Sequence, residues 1–136
     1  MPNHDHSEKE YFDTSANMRQ YANMRFAQLT LTVAATGALI ATLAGHDKPV
    51  SDDLATVLKT VGVIVALVFW VMEERAADYW HHFANRAVSL EQVLGFEQYS
   101  RRPVQKLFTA TNAARLLYFG VLALWAVALA SGRRFL

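Results

Sequence analysis

Charge is nearly absent from three stretches of this chain, 26–44, 54–72 and 114–130, and charged residues crowd the segments between them. At the helical rise of ~1.5 Å per residue, the first stretch reaches ~28 Å, close to the ~30 Å hydrocarbon core of a bilayer. A soluble fold could bury such segments only by covering them, and a chain of 136 residues leaves too little other material to do so. The expectation is therefore a single all-α membrane domain with three transmembrane helices. Composition alone would not decide this, since 53% hydrophobic and 18% charged residues are compatible with a soluble protein.

Several function classes are narrowed early. The chain has no cysteine, which excludes disulfides, thiolate zinc sites, iron–sulfur clusters and thiol nucleophiles. A formal net charge of +1 gives no reason to expect nucleic-acid binding. The opening residues are polar and acidic, whereas a secretory leader begins basic and turns apolar, so the first apolar stretch is expected to be retained. No phosphate-binding glycine loop, nucleophile elbow or His-Glu-x-x-His motif is present. No Asp, Glu, Arg or His lies in the middle of a span, where proton relays and ion-coupled carriers place them. The chain is expected to be non-enzymatic and to need no cofactor.

The element boundaries read as follows. Residues 1–13 show no apolar period and are expected to form a flexible tail. A helix over 15–44 follows, with Asp13, Thr14 and Ser15 as candidate N-caps, and includes the first span. The composition of Gly45-His46-Asp47-Lys48-Pro49 marks a turn. Ser51 can cap the next helix, with Asp52 and Asp53 where the helix dipole favours acids. Lys59 lies one turn inside the second span and can snorkel to the interface. No breaker follows Met72, so one helix is expected over 54–99, leaving the membrane as a long amphipathic cytoplasmic extension. Ser100-Arg101-Arg102-Pro103 should end it. The third span covers 114–130.

Four constellations stand out. On the extension, Ala76, Trp80, Phe83, Ala87, Leu90 and Leu94 step by 4, 3, 4, 3 and 4 and form one apolar stripe. Trp80, Phe83, Ala87, Leu90 and Leu94 read as a seam between copies of the chain, because the polar residues Arg19, Gln20, Asn23 and Arg25 limit how well the N-terminal helix could cover it. Within the first span, Gly37, Ala41 and Gly45 recur every four residues and permit close helix packing, inside the chain or between copies. Gln28, Thr32 and Thr36 form a polar line that can serve interhelix hydrogen bonding or line a hydrated path. Glu74, Asp78 and His82, four apart on one face, can bind a divalent metal; the same spacing also supplies plain hydrogen bonds along a solvated face.

Basic residues near the spans set the orientation. Lys9, Arg19, Arg25, Arg75, Arg86, Arg101, Arg102, Lys106 and Arg115 fall on one side if all three segments cross, against Lys48, Arg133 and Arg134 on the other. The positive-inside rule then makes the N-terminus and the amphipathic helix cytoplasmic, and a multi-pass protein of a cell membrane, such as a bacterial inner membrane, is the expected location. Arg101, Arg102 and Lys106 would meet anionic headgroups.

The chain also resembles SLATT-type bacterial membrane proteins. The resemblance rests on Met24-Arg25-Phe26, the first two spans and Phe83-Ala84-Asn85-Arg86-Ala87-Val88-Ser89-Leu90-Glu91, and covers about 15–100. It implies a helical hairpin, an amphipathic cytoplasmic helix and a pore role, while the third span is not part of that two-span pattern. The resulting expectation is a self-associating membrane protein, a homo-oligomer able to form a pore or channel-like effector. The rival is a small accessory or scaffold subunit of a larger membrane complex, docking a protein partner on the cytoplasmic helix.

Overall fold

A computed structural model describes residues 4–45, 50–101 and 109–132. They form three helices, α1 (His4–Leu43), α2 (Asp52–Leu94) and α3 (Ala110–Ala130), with no strand among the described residues. All three are long and apolar enough to cross a membrane. The turn at 46–49, the Arg102-Pro103 breaker, Lys106 and the Arg133-Arg134 pair lie outside the described residues.

The contacts fix the topology. Tyr11 meets Glu91 and Arg25 meets Glu73, so α1 and α2 are antiparallel. Arg115 meets Glu74 and Lys59 meets Gly132, so α2 and α3 are antiparallel as well. Helix α2 is thus the central element. Its 43 residues span ~64 Å and the 40 of α1 span ~60 Å, while the 21 of α3 reach only ~32 Å. The molecule therefore has a three-helix body, built on the stretch of α2 between Asp52 and Glu73, and a two-helix stalk beyond it.

Each helix end has a local cause. Ser51 occupies the N-cap position of α2 in extended conformation, but its side chain makes no capping bond, leaving Asp52 and Asp53 to complement the dipole. Helix α2 stops at Gly95, whose φ of 75° suits a residue without a Cβ; the Gly95 amide donates to the Glu91 carbonyl at 2.8 Å. This is earlier than the Tyr99 end read from the sequence, because residues 96–101 fold back on Glu91 instead of continuing the helix. Thr109 caps α3, its hydroxyl accepting from the Asn112 amide at 3.1 Å.

Helix α1 begins at His4, not near Ser15, which corrects the expected flexible tail over most of its length. The physical reason is tertiary. Tyr11, Thr14, Ser15 and Met18 are buried, and Tyr11 and Met18 close a cluster with Ala84, Ala87 and Leu90, flanked by Trp80, Phe83, Leu94 and Tyr99. Tyr21 stacks on Tyr79 with ring centroids 5.4 Å apart. Packing of this kind overrides the weak local signal of the first dozen residues.

The body has its own core. Ala66, Trp125 and Ala128 are buried together, with Leu39, Ile40, Leu43, Val63, Val121 and Leu122 around them. Gly62 makes this possible: a Cβ there would lie 2.4 Å from the Trp125 ring. At the end of the body away from the stalk, buried Lys59 donates to the Gly132 carbonyl at 2.7 Å and so satisfies a carbonyl at the end of α3.

Candidate functional site at the three-helix junction

Where body and stalk meet, charge from all three helices converges. Glu73 of α2 is fully buried. Arg25 of α1 reaches its Oε1, Nε donating at 2.7 Å, and a second Arg25 nitrogen donates to Thr111 Oγ1 of α3 at 3.1 Å. One guanidinium thus joins three helices. Glu74, the next residue, turns to the other side, where Arg115 of α3 grips it through both carboxylate oxygens at 2.7 and 2.6 Å. The Trp70 indole adds a third bond to Glu74 at 3.1 Å. Two adjacent acids on α2 thereby bind one arginine from each neighbouring helix. The forked Arg115–Glu74 pair fixes geometry as well as charge.

Just inside this layer lie buried polar groups. Gln28 and Thr32 are 4% and 0% exposed, and the Thr32 hydroxyl donates back to the Gln28 carbonyl at 2.8 Å. Thr36, the third member of the expected polar line, is half-buried. Gln28 and Thr32 therefore face the interior of the chain, while Thr36 is only partly covered.

The other sequence candidates fall differently. Gly37, Ala41 and Gly45 are all exposed; a Cβ on Gly37 would meet no described atom within 4 Å, and one on Gly45 would meet only the Thr42 carbonyl of its own helix. Close packing within the chain uses Gly62 and Ala66 instead, a small pair at the same four-residue spacing that the sequence reading passed over. The stripe read as a seam between copies is occupied within the chain. Ala87 and Leu90 are buried, and Trp80, Phe83 and Leu94 are packed against the same cluster. The cover comes from Tyr11 and Met18, while Arg19, Gln20 and Asn23 point away and are exposed.

The metal candidate is corrected. Glu74 is committed to Arg115 and Trp70, whereas Asp78 and His82 are exposed and share a shallow groove with Arg75 and Tyr79. Among the described residues no three His, Asp or Glu side chains are placed to hold a metal ion.

A second polar site, at the far end of the stalk, had no sequence signal. Glu91 is 1% exposed and accepts the Tyr99 amide at 2.8 Å, the Ser100 amide at 2.9 Å and the Tyr11 hydroxyl at 3.0 Å. Burial pushes its carboxyl up, but these donors outweigh burial and hold it below the usual carboxylate range. Burial and the bond to Glu91 push the Tyr11 hydroxyl up from 10.0 to about 12. Phe96 and Tyr99 lie against Tyr11, with ring centroids at 5.3 and 6.1 Å. Glu91 thus pins α1, α2 and the turn after α2 to one another.

Among known proteins, no family model, no curated relative and no solved structure matches this chain.

Proposed function

We propose that the chain is a multi-pass membrane protein whose stalk is a docking element, making it a non-enzymatic accessory or scaffold subunit of a larger membrane complex. The observation that carries this reading is where the large apolar side chains are exposed. Phe26, Leu31, Val57, Ile64, Val71, Leu116 and Phe119 are 71, 56, 56, 55, 60, 72 and 62% exposed, and all lie in the body. An apolar surface of that extent is stable only against lipid or protein. From Asp52 to Glu73 the axis of α2 rises ~32 Å, matching the ~30 Å core of a bilayer. The stalk encloses an apolar cluster and turns Arg75, Asp78, His82, Asn85 and Arg86 outward, although Phe12, Tyr79, Val93 and Phe96 are exposed among them; in this reading it projects into water.

In this reading the N-terminus and the stalk are cytoplasmic, on the distribution of basic residues. Single cysteines in place of Ser7, Ser51 and Ser89 test it with an impermeant thiol reagent on intact cells. Ser51→Cys is expected to label, and Ser7→Cys and Ser89→Cys only after lysis. The reverse pattern overturns the orientation, and equal labelling of all three in intact cells overturns the membrane reading.

Self-association is the second reading, and one observation favours it: the Gly37–Ala41–Gly45 face points outward with no partner among the described residues. A homo-oligomer would use that face within the membrane, and a pore would lie between copies. Native mass spectrometry from nanodiscs separates the readings. A monomer supports the scaffold, and an oligomer dispersed by Gly37→Leu supports self-association.

A further inference from the structure

One exposed face of α2 runs from the body straight into the stalk. Ile64, Val68, Val71, Arg75, Asp78 and His82 step by 4, 3, 4, 3 and 4, so they share that face. All six are exposed, the three aliphatic residues at 55, 51 and 60%. Up to the level of Glu73 the face is apolar. Beyond it, Arg75, Asp78 and His82 line a shallow groove together with Tyr79. Tyr21 of α1 stacks on the Tyr79 ring at 5.4 Å, with 16° between the ring planes, and steadies that wall of the groove.

The order of chemistry along this face matches one kind of molecule. In the membrane reading, on which this inference rests, the bilayer core ends near Glu73. Arg75 then stands ~3 Å beyond that level and Asp78 ~8 Å beyond it, at the helical rise. The headgroup layer on each side of a bilayer is ~5–8 Å deep. Arg25, Arg86, Arg101 and Arg115 each hold a carboxylate, whereas neither Arg75 nor Asp78 has an ion-pair partner among the described residues. Outward from the core, the face therefore presents aliphatic side chains, then a cation, then an anion. A phospholipid with an ethanolamine headgroup presents acyl chain, phosphate and ammonium in the same order. A guanidinium suits phosphate oxygens, and a carboxylate accepts from the N–H groups of a primary ammonium. A choline headgroup has no N–H to give, and an anionic headgroup brings no cation to Asp78. We propose that this face of α2 binds one phospholipid whose phosphate is followed by a primary ammonium. Its chains lie along Ile64, Val68 and Val71, its phosphate at Arg75 and its ammonium at Asp78.

The test is native mass spectrometry of the full chain released from nanodiscs of phosphatidylethanolamine, phosphatidylcholine and phosphatidylglycerol in equal parts. The wild type is expected to retain one phosphatidylethanolamine ahead of the other two lipids. Arg75→Gln should lower that retention roughly fivefold, the scale of one arginine at a lipid surface. Asp78→Asn should keep a lipid bound but lose the selection against phosphatidylglycerol. Both changes fall on exposed side chains, so the fold is expected to persist. Equal retention of the three lipids by the wild type overturns the proposal, as does a preference for phosphatidylglycerol or a selection unchanged in both variants. Soluble phosphoethanolamine should not displace the lipid; if it does, the aliphatic stripe takes no part and the assignment to a lipid falls. A chain that enters nanodiscs and retains no lipid overturns this inference alone. A chain that fails to enter them overturns the membrane reading with it.

Discussion

Helix α2 follows opposite rules in its two halves. In the body, the buried residues are Lys59, Gly62, Ala66 and Glu73, while Val57, Val61, Ile64, Leu67, Val68 and Val71 face outward. In the stalk, Ala76, Ala77, Ala84, Ala87, Leu90 and Glu91 are buried, while the outward face carries Asp78, His81, His82, Asn85 and Arg86, with Tyr79 and Val93 among them. The inversion occurs within one turn of Glu73, in an unbroken helix. Helix geometry is common to both halves, so the difference fits the proposed placement, with the body in lipid and the stalk in water. Where the surroundings are apolar, large aliphatic side chains gain nothing by turning inward, and small or polar residues form the contacts. Where they are aqueous, burial of apolar area drives the packing.

The sharpest way to test that contrast is to break an ion pair in each half. Glu73→Ala leaves Arg25 nearly buried without its acid, and the loss is expected at about 3–5 kcal/mol. Glu10 pairs with Arg86 across the stalk at 2.7 Å, but the two side chains are 39% and 50% exposed. Glu10→Ala should therefore cost less than ~1 kcal/mol. Reversible unfolding of both variants in the same lipid mimetic measures the difference. Equal losses would mean that water reaches the junction as freely as the stalk surface.

Next in size is the stalk core. Leu90→Ala removes a buried side chain from the Tyr11–Met18 cluster and should cost about 2–5 kcal/mol. The effect should be confined to the stalk. Hydrogen exchange is expected to rise over the N-terminal half of α1 and the matching part of α2, with the body unchanged. Dissociation of an oligomer without faster exchange would instead return the stripe to a contact between copies.

The general plan was legible in the sequence, because lack of charge over about 19 residues and a stripe stepping by 4 and 3 are signals a single helix carries by itself. Partnership between helices was not. Gly37–Ala41–Gly45 and Gly62–Ala66 have the same spacing, and only the position of Trp125 makes the second the packed one. The junction left a trace that could have been followed. Arg25, the Glu73–Glu74 pair and Arg115 each stand at the same end of their spans, with signs that cancel once neighbouring helices run antiparallel. Glu91 and Tyr11 left none, since one looks like a solvated acid and the other lies in a polar N-terminal segment.

That difference between the two small-residue faces gives a smaller effect. Gly62→Ala puts a methyl group into the Trp125 ring and should cost about 1–3 kcal/mol by overpacking. Gly37→Ala meets no described atom within 4 Å, and Ala favours a helix over Gly by up to ~1 kcal/mol. It should be neutral or stabilising in a monomer. A destabilised Gly37→Ala variant would show that the outward face is covered by another copy.

The smallest expected effect separates the two buried glutamates. Glu73 keeps one oxygen without a partner among the described residues, whereas both Glu91 oxygens are bonded. Tyr11→Phe removes one of the donors to Glu91 and leaves the two amides, so its cost is expected near ~1 kcal/mol. The pH dependence gives the sharper reading. Glu91 titrates below its usual range in the folded chain, so its contribution is present above that range and is lost as pH falls through the depressed value. Tyr11 is shifted the other way; its contribution is present below 10.0 and is lost as pH rises from there through about 12. Exchange protection of the tip, residues 4–18 and 96–101, should therefore form a plateau that falls at both ends. Tyr11→Phe should remove the alkaline fall and move the acidic one toward neutral pH, because Glu91 loses a donor to its charged form. Glu91→Gln should remove the acidic fall. An acidic edge that persists in Glu91→Gln would place the titrating group elsewhere in the stalk.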